Sequence, residues 1–206
     1  GHDEMDAGAV LGIAGLQRTG MGMQALVAGQ QRGVHVEQAP VEALHERACD
    51  IAITYDPPSH PRLKRRELGT AELMLMFRQG SLPEVGERIL LKQLDGQDMI
   101  GLTVGGPVGN LFNQELQRHG VQVREVVSNQ TFYVAAALTR YGAGMAVVDE
   151  FTARAGTDAD AGVQHRPFSP PIRYTIQCVH LEDRPPSKAA SRFITMFSQV
   201  LRELKE

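Results

Sequence analysis

The apolar residues of this sequence follow two spacings in turn, and this alternation limits the chain to a small set of folds. Four short apolar runs have the length and composition of strands: AVLGIA (9–14), VHVEQ (34–38), DIAITY (50–55) and AELMLMF (71–77). Apolar residues three and four apart predict helices over about 21–31 and over 41–48 between them. Strands that alternate with helices predict an α/β fold built on parallel sheets.

The second half of the sequence repeats this plan. Strands are predicted over 99–102, 121–127 and 145–148. Three helices are predicted from their apolar faces: one from Val108, Leu111, Phe112 and Leu116; one over 130–142 from Val134, Ala137, Leu138 and Tyr141; and a C-terminal one from Ala189, Phe193, Met196, Phe197, Val200, Leu201 and Leu204. Two such runs predict two α/β lobes with a ligand cleft between them, at the carboxyl ends of the strands.

Composition and charge exclude several classes of function. The 206 residues carry 21 Lys and Arg against 24 Asp and Glu, a net charge of −3, so this segment has no basic surface for nucleic acid. No apolar run approaches about 18 residues, so neither a transmembrane helix nor a membrane partner is expected. Cys49 and Cys178 are far apart and predict no disulfide or metal site, and the alternating strand IRYTIQCVH predicts that Cys178 is a buried structural thiol.

The sequence contains no recognisable catalytic motif. The seven histidines show no HExxH or HxH spacing, and no GxSxG motif occurs. Asp149 and Glu150 are adjacent, so at the end of a strand their side chains are expected to diverge rather than to form a catalytic carboxylate pair. We therefore expect a protein that is not an enzyme, without catalytic residues, metal ligands or cofactors.

The stretch GLTVGGPVGN (101–110) places glycines between a predicted strand and a predicted helix. It lacks the Lys-Ser/Thr of a P-loop and the GxGxxG spacing of a dinucleotide site, and Pro107 removes one N–H donor. A nucleotide site is therefore not expected. Two interpretations stay open: a carboxylate or similar anion held by Thr103 and the free N–H groups of the helix, or a plain turn between strand and helix.

Two further stretches follow predicted strands. In GLQRTGMG (15–22), Arg18 suits a ligand carboxylate and Thr19 a ligand or a helix cap, although a solvated arginine is the alternative. In VVSNQTF (126–132), Ser128 or Asn129 is expected to cap the next helix, which is compatible with ligand contact.

Four stretches follow one another in an order and spacing that characterise a known family. They are DIAITYDPPSHPRLKRRELGTAELMLMF, ILLKQLDGQDMIGL, VAAALTRYGAGMAVVDEFTA and RPFSPPIRYTIQCVHLEDRPPSKAASRFITMFSQVLREL. Together they resemble the effector-binding domain of LysR-type transcriptional regulators, over about residues 7–206.

The resemblance implies a periplasmic-binding-protein-like fold of type 2, with two lobes joined by two crossing segments. The crossings are expected near Asp98 and Pro170, so that lobe I comprises 7–98 plus 171–206 and lobe II comprises 99–170. Family members also carry an N-terminal winged helix-turn-helix and a linker helix, which this sequence lacks. Its first residues, GHDEMDAGAV, look like the remnant of a cleaved tag and agree with a truncated chain.

By position in the family, the effector cleft is expected to be lined by 16–19, 39–41 and 55–56 from lobe I, and by 103–106, 128–131 and 149–151 from lobe II. The candidate ligand-binding residues are Gln17, Arg18, Thr19, Tyr55, Thr103, Val104, Gly105, Gly106, Ser128, Asn129, Gln130, Asp149 and Phe151.

The resemblance implies a cytoplasmic domain that senses a small metabolite and alters the DNA binding of the intact protein. The effector is expected to bear a carboxylate, with amino acids and their derivatives among the candidates. The implied partners are DNA, through the missing N-terminal domain, and further copies of the protein in a homodimer or homotetramer. The alternatives are a solute-binding protein of a transporter, marked by a signal peptide or lipid-anchor cysteine, and an enzyme such as a dehydratase or deaminase, which needs an acid–base pair in the cleft.

Overall fold

The computed structural model describes residues 14–19, 22–27, 43–55, 61–102, 107–129, 131–158 and 162–204. Its strands are β1 (Ala14–Thr19), β2 (Gly22–Val27), β3 (Cys49–Tyr55), β4 (Leu63–Arg78), β5 (Ile89–Leu90), β6 (Asp98–Leu102), β7 (Arg124–Asn129), β8 (Met145–Asp149), β9 (Val163–Ser169) and β10 (Arg173–Leu181). Its helices are α1 (Pro107–His119), α2 (Phe132–Arg140), α3 (Glu150–Asp158) and α4 (Lys188–Glu203). A 3-10 turn covers Leu91–Leu94, and residues 43–45 form a short helical turn.

The described strands form one ten-stranded mixed sheet. Eight of them lie in the order β2-β1-β3-β10-β4-β8-β6-β7, and β9 pairs with both β4 and β5. Strand β6 is parallel to β7 and β8, and β5 is parallel to β9, whereas the other pairs are antiparallel. The prediction of parallel sheets is therefore confirmed for these pairs and wrong for the others, because local periodicity does not specify which strands become neighbours.

Strand β4 belongs to two groups of strands. Residues 63–72 pair with β10, which in turn pairs with β3, while residues 73–78 pair with β8 and β9. The chain thus passes from the first group to the second between Glu72 and Leu73 and returns between β9 and β10. The sequence predicted the first passage near Asp98, but Asp98 begins β6 inside the second group. The second was predicted near Pro170, which does lie between β9 and β10.

The two passages are bound to each other where they meet. The Leu73 amide donates a hydrogen bond to the Ile172 carbonyl at 2.9 Å. The Arg173 guanidinium donates through Nε to Glu72 Oε1, also at 2.9 Å. Backbone and side-chain bonds therefore hold both connecting segments side by side.

Apolar side chains cover both faces of the sheet. On one face, α1 contributes Val108, Phe112 and Leu116 and α4 contributes Ile194 and Leu201. The burial of the three α1 residues confirms the predicted apolar face of this helix. The predicted inward face of β10 is also confirmed, since Cys178 is fully buried with Ile176 and Tyr174. Burial raises the pKa of the Cys178 thiol to about 12, as expected of a structural cysteine.

The other face of the second group is covered by small residues of α2 and α3. Ala135, Ala136 and Ala153 pack against apolar residues of β4, β6 and β8. The predicted inward face of α2 is wrong for Val134, which is 44% exposed, and for Tyr141, which follows the helix and is 89% exposed. Leu138, predicted on the same face, is half-buried against this cluster. The alanines allow the helix axis to approach the sheet closely, and the larger side chains consequently lie on the outer side.

The N-terminal segment departs from its prediction as well. Gly22–Val27 forms β2, an antiparallel partner of β1, so the predicted helix over 21–31 is wrong. Two glycines in this segment disfavour a helix, and a two-residue connection that contains glycine suits a hairpin. The predicted strands over 9–14 and 34–38 lie outside the described residues, apart from Ala14, which begins β1.

The C-terminal helix α4 buries only part of its apolar face. Ala190, Ile194 and Leu201 are buried, as the amphipathic pattern predicts for Leu201. Met196, Val200 and Leu204, which the sequence placed on the same face, are 44% to 58% exposed. The apolar surface of this helix is wider than the strip that contacts the sheet.

Strand β5 allows a matched test of burial because its two residues have opposite environments. Ile89 is fully buried beside Phe168 of β9, whereas its neighbour Leu90 is 56% exposed. Ile89→Ala should lower the free energy of unfolding by about 2–5 kcal/mol, whereas Leu90→Ala should change it by about 0.5 kcal/mol or less. Urea unfolding of the two variants measures the difference, and equal losses would contradict this packing.

Candidate functional site

Three strand–helix junctions lie together at one edge of the sheet. Parallel β6, β7 and β8 end at Leu102, Asn129 and Asp149, so their carboxyl ends lie along the same edge. The chain then enters α1 at Pro107, α2 at Phe132 and α3 at Glu150. Three helix N-termini therefore point toward this edge, where open α/β sheets bind their ligands.

Asn129 ties two of these junctions together. Its Nδ2 donates to the Gly101 carbonyl on β6 at 2.8 Å, and its Oδ1 accepts from the Thr131 amide at 3.0 Å. The residue that caps α2 is Thr131, whose hydroxyl accepts from the Val134 amide at 3.3 Å. The expectation that Ser128 or Asn129 caps this helix is thus wrong, because the strand continues to Asn129 and the helix begins only at Phe132.

Gly101 lies against a side chain of its neighbour on β7. A Cβ atom at this position would lie 2.2 Å from Cδ of Glu125, so the Glu125 side chain lies across the glycine. A larger residue at the end of β6 would therefore require the exposed Glu125 side chain to move.

Asp149 ends β8 and caps α3. Its Oδ1 accepts from the amides of Phe151 and Thr152, each at 2.9 Å, and its Oδ2 accepts from the Thr152 hydroxyl. The residue is fully buried. Burial raises the pKa of Asp149 above its ordinary value, and the hydrogen bonds from Thr152 and Phe151 oppose the shift.

Two buried tyrosines of the first group lie beside Asp149. Tyr55 ends β3 and Tyr174 is near the start of β10, with ring centroids 4.9 Å apart in an edge-to-face arrangement. Tyr174 pairs with Ala71 and Asp149 with Leu73, two residues along β4, so both side chains lie on the same face of the sheet. The register of β4 therefore brings the two groups of strands together at this point.

The negative charges beside the two tyrosines act on their hydroxyl groups. Burial raises the pKa of both tyrosines well above its ordinary value, and the negative charge of Asp149 adds to the shift of each. The charge of Glu150 adds further to the shift in the pKa of Tyr174. We call Tyr55, Tyr174, Asp149 and Glu150 the tyrosine–carboxylate cluster.

The structure brings together some of the predicted site residues and separates others. Tyr55 and Asp149 meet in the tyrosine–carboxylate cluster, and Phe151 lies one residue into α3 with its ring against the core. Asn129 is buried and Ser128 exposed at the neighbouring junction.

The predicted residues on β1 lie elsewhere. Gln17 pairs with Cys49 at the amino end of β3, six residues from Tyr55, and Arg18 and Thr19 continue away from Tyr55. At about 3.3 Å per residue this separation is about 20 Å, so the strand pairing does not bring these three residues to the tyrosine–carboxylate cluster. The remaining predicted residues lie outside the described residues: Thr103, Val104, Gly105, Gly106 and Gln130.

Sequence reasoning missed one member of the cluster, Tyr174, which was assigned only to the buried face of β10. The signal for Tyr174 was a polar aromatic residue on an otherwise apolar face next to a predicted crossing. Glu150 lies within the predicted lining 149–151 but was not among the candidate ligand-binding residues, because its side chain was expected to diverge from Asp149.

Within the described ranges, no group of three or more His, Cys, Asp or Glu side chains is arranged to hold a metal ion. None of the helices in that part of the chain is long and apolar enough to cross a membrane.

Solved structures share this architecture. The CcmR regulatory domain of Synechocystis PCC6803, solved in complex with 2-PG, matches with a TM-score of 0.69 and 17% identity over 80% of this chain and 79% of that chain. Full-length CbnR, solved in complex with its target DNA, matches with a TM-score of 0.58 and 17% identity over 81% of this chain and 57% of that chain. The predicted fold class is thereby confirmed as an α/β protein of the type 2 periplasmic-binding-protein-like fold.

The chain belongs to the LysR substrate binding domain family, whose model matches residues 33–202. A relative from Pseudoalteromonas, the HTH-type transcriptional regulator DgcR, is 26% identical over 168 residues, or 82% of this chain. The chain spans 57% of the length of that relative. At the level of the family, the comparison is thus with transcriptional regulators rather than enzymes.

The raised pKa of Asp149 predicts a pH dependence. The folded state binds this proton more tightly than the unfolded chain, so folding becomes more favourable as the pH falls from the raised folded pKa toward the ordinary value of 3.8. Asp149→Asn keeps an N-cap acceptor but removes the proton uptake. The stability of wild type relative to this variant should therefore increase as the pH is lowered through that window.

Urea unfolding between about pH 7 and pH 4 measures this difference. Asp183→Asn, at an exposed position, is the matched control for loss of a carboxylate. A difference between wild type and Asp149→Asn that stays constant with pH would contradict the raised pKa.

Proposed function

We propose that this chain is the effector-sensing domain of a cytoplasmic LysR-type transcriptional regulator. It binds a small carboxylate-bearing metabolite, with amino acids and their derivatives among the candidates, in the cleft between two lobes. The observation that carries the proposal is the placement of the paired Tyr55 and Tyr174 rings of the first group on the same face as Asp149, at the edge where three helices begin. The family membership of the chain supports the same function.

We place the lobe boundaries where the chain passes between the two groups of strands. The sequence-based boundaries, 7–98 plus 171–206 and 99–170, agree with the return passage near Pro170. Residues 73–78 pair with β8 and β9, however, which supports ending the first part of lobe I at Glu72.

The polarity of the helix N-termini supports a carboxylate ligand. Neither α1 nor α2 has an acidic residue in its first turn, so free N–H groups and the helix dipole favour negative charge there. The predicted contacts Thr103–Gly106 directly precede α1 in the sequence, and Ser128–Gln130 precede α2.

The proposed mechanism is linkage between effector binding and lobe angle. An effector that contacts both lobes binds the closed arrangement more tightly and shifts the population toward it. Coupling of this kind is typically about 1–3 kcal/mol, or about 5–150-fold in affinity. DNA contacts belong to an N-terminal winged helix-turn-helix in the intact protein, which agrees with the net charge of −3 in this segment.

Homodimerisation, with a homotetramer as a further assembly, is part of the proposal. Val134 and Tyr133 (69% exposed) lie on the outer side of α2, and Tyr141 follows the helix. Val126 of β7 is also exposed and is close to Gly144, which follows shortly after α2: a Cβ atom added at this glycine would lie 3.3 Å from Cγ2 of Val126. Among the described strands, β7 is the last in the sheet order, so this apolar surface and the strand edge beside it together suit a second copy of the chain.

Effector binding can be tested with an isosteric change. Thr103→Val removes a hydroxyl that is proposed to bind the carboxylate, so effector affinity should fall about 10-fold or more. Thr195→Val, on α4, is the matched control and should leave affinity unchanged, because the Thr195 hydroxyl donates within its own helix.

A thermal-shift screen with amino acids, organic acids and aromatic acids identifies the effector, and calorimetry then measures both variants. Equal affinity of Thr103→Val and wild type would contradict the assigned contact. A protein stabilised only by nucleotides would contradict the proposed function.

The dimer surface can be tested by introducing a charge. Val134→Asp should weaken dimerisation about 10-fold or more, since burial of an unpaired carboxylate is costly. Met196→Asp on the exposed side of α4 is the control and should leave dimerisation unchanged. Sedimentation velocity over a range of concentrations measures both, and dimers lost only in Met196→Asp would assign the interface to α4.

A further inference from the structure

Tyr174 has a buried hydroxyl that lacks a hydrogen-bond partner within the described part of the chain. The residue is 2% exposed, and its hydroxyl oxygen is inaccessible to solvent. Buried polar groups are nearly always paired, because an unpaired one loses its hydrogen bonds to water without replacement. A molecule bound at the tyrosine–carboxylate cluster would supply the missing partner.

The surroundings of this hydroxyl are acidic. Asp149 and Glu150 are both buried, and both act on Tyr174 through their negative charge. A ligand carboxylate placed there would face like charges in a site of low dielectric. An ammonium group would instead be attracted by the carboxylates and by the faces of the paired Tyr55 and Tyr174 rings.

The opposite polarity is found a few residues away on the same edge. The first turns of α1 and α2 carry no acidic residue, whereas α3 begins with Glu150. The edge therefore favours an anion beside α1 and α2, and it favours a cation beside α3. A dipolar ligand fits this arrangement in one orientation only.

We propose that Tyr174 is a specificity-determining residue of the effector site, and that its hydroxyl, with the carboxylates of Asp149 and Glu150, receives an ammonium group of the effector. This inference rests on the proposed effector-binding function and narrows it. The effector is then a zwitterion, bound by its carboxylate at the N-termini of α1 and α2 and by its ammonium group at the cluster.

The position of Tyr174 connects this contact to the lobe linkage. Tyr174 follows Arg173, which pairs with Glu72, and lies two residues after Ile172, whose carbonyl accepts from Leu73. A ligand held by Tyr174 therefore contacts the segment in which both passages between the two groups of strands lie side by side.

The test compares amino acids with their des-amino analogues. The probes are the protein amino acids, with both enantiomers of each chiral one, and, for each that stabilises the protein, the carboxylic acid that lacks its amino group. Titration calorimetry should show that the amino acid binds at least about 10-fold more tightly than its des-amino analogue, as expected for hydrogen bonds to a charged group.

Tyr174→Phe should remove most of this preference. Affinity for the amino acid should fall about 10-fold, while affinity for the des-amino acid should stay within about twofold. The variant should melt no lower than wild type, because the lost hydroxyl has no partner in the described part of the chain. Glu150→Gln should lower affinity for the amino acid in the same selective way, and Glu84→Gln, at an exposed carboxylate, should change neither affinity.

Des-amino acids that bind as tightly as amino acids would overturn the inference, and so would an equal loss of both ligands in Tyr174→Phe. Either result would leave the proposed function in place, because an effector would still bind. If no small molecule of any class bound the chain, the proposed function would itself fail.

Discussion

The site depends on one strand that hydrogen-bonds to two different groups of neighbours. Along its first ten residues β4 is a partner of β10, and along its last six it is a partner of β8 and β9. This change of partner places Tyr174 and Asp149 on one face, two positions apart along β4. Without a continuous β4, no shared strand would fix the tyrosines of one group beside the carboxylates of the other.

The polar side chains around the cluster differ in whether their hydrogen-bonding groups already have partners. Asp149 has both carboxylate oxygens occupied by the first turn of α3, and Asn129 uses both ends of its amide to bind the backbone. These hydrogen bonds fix the shape of the edge, and Asp149 contributes its negative charge to the cluster. Tyr174 differs from these two residues, because its hydroxyl is buried without a partner among the described residues. Binding capacity at such an edge depends on the groups that the fold leaves unsatisfied.

Local periodicity predicted most of the elements but not their arrangement. The strands at 50–55, 99–102 and 145–148 and the apolar face of α1 were predictable, because each is encoded in a few consecutive residues. The passage at Glu72–Leu73 was not, since the charged residues of the first half of β4 mask a strand that continues into an apolar second half. The inward face of α2 was assigned by residue size, whereas close packing selected the alanines. Tyr55 and Asp149 were predicted from the family, but their juxtaposition depends on long-range pairing that no local pattern specifies.

The contact between Gly101 and Glu125 has a consequence for how this edge varies among related sequences. A side chain at position 101 would displace the Glu125 side chain, which is exposed and has room to turn toward solvent. A change from glycine at the end of β6 would therefore alter the surface that Glu125 now covers. Since the neighbouring Asn129 binds the Gly101 carbonyl, the same change would also act on the geometry with which α2 begins. Position 101 thus connects the exposed face of β7 to the start of α2, and an exchange there can change the shape of this edge while the sheet is retained.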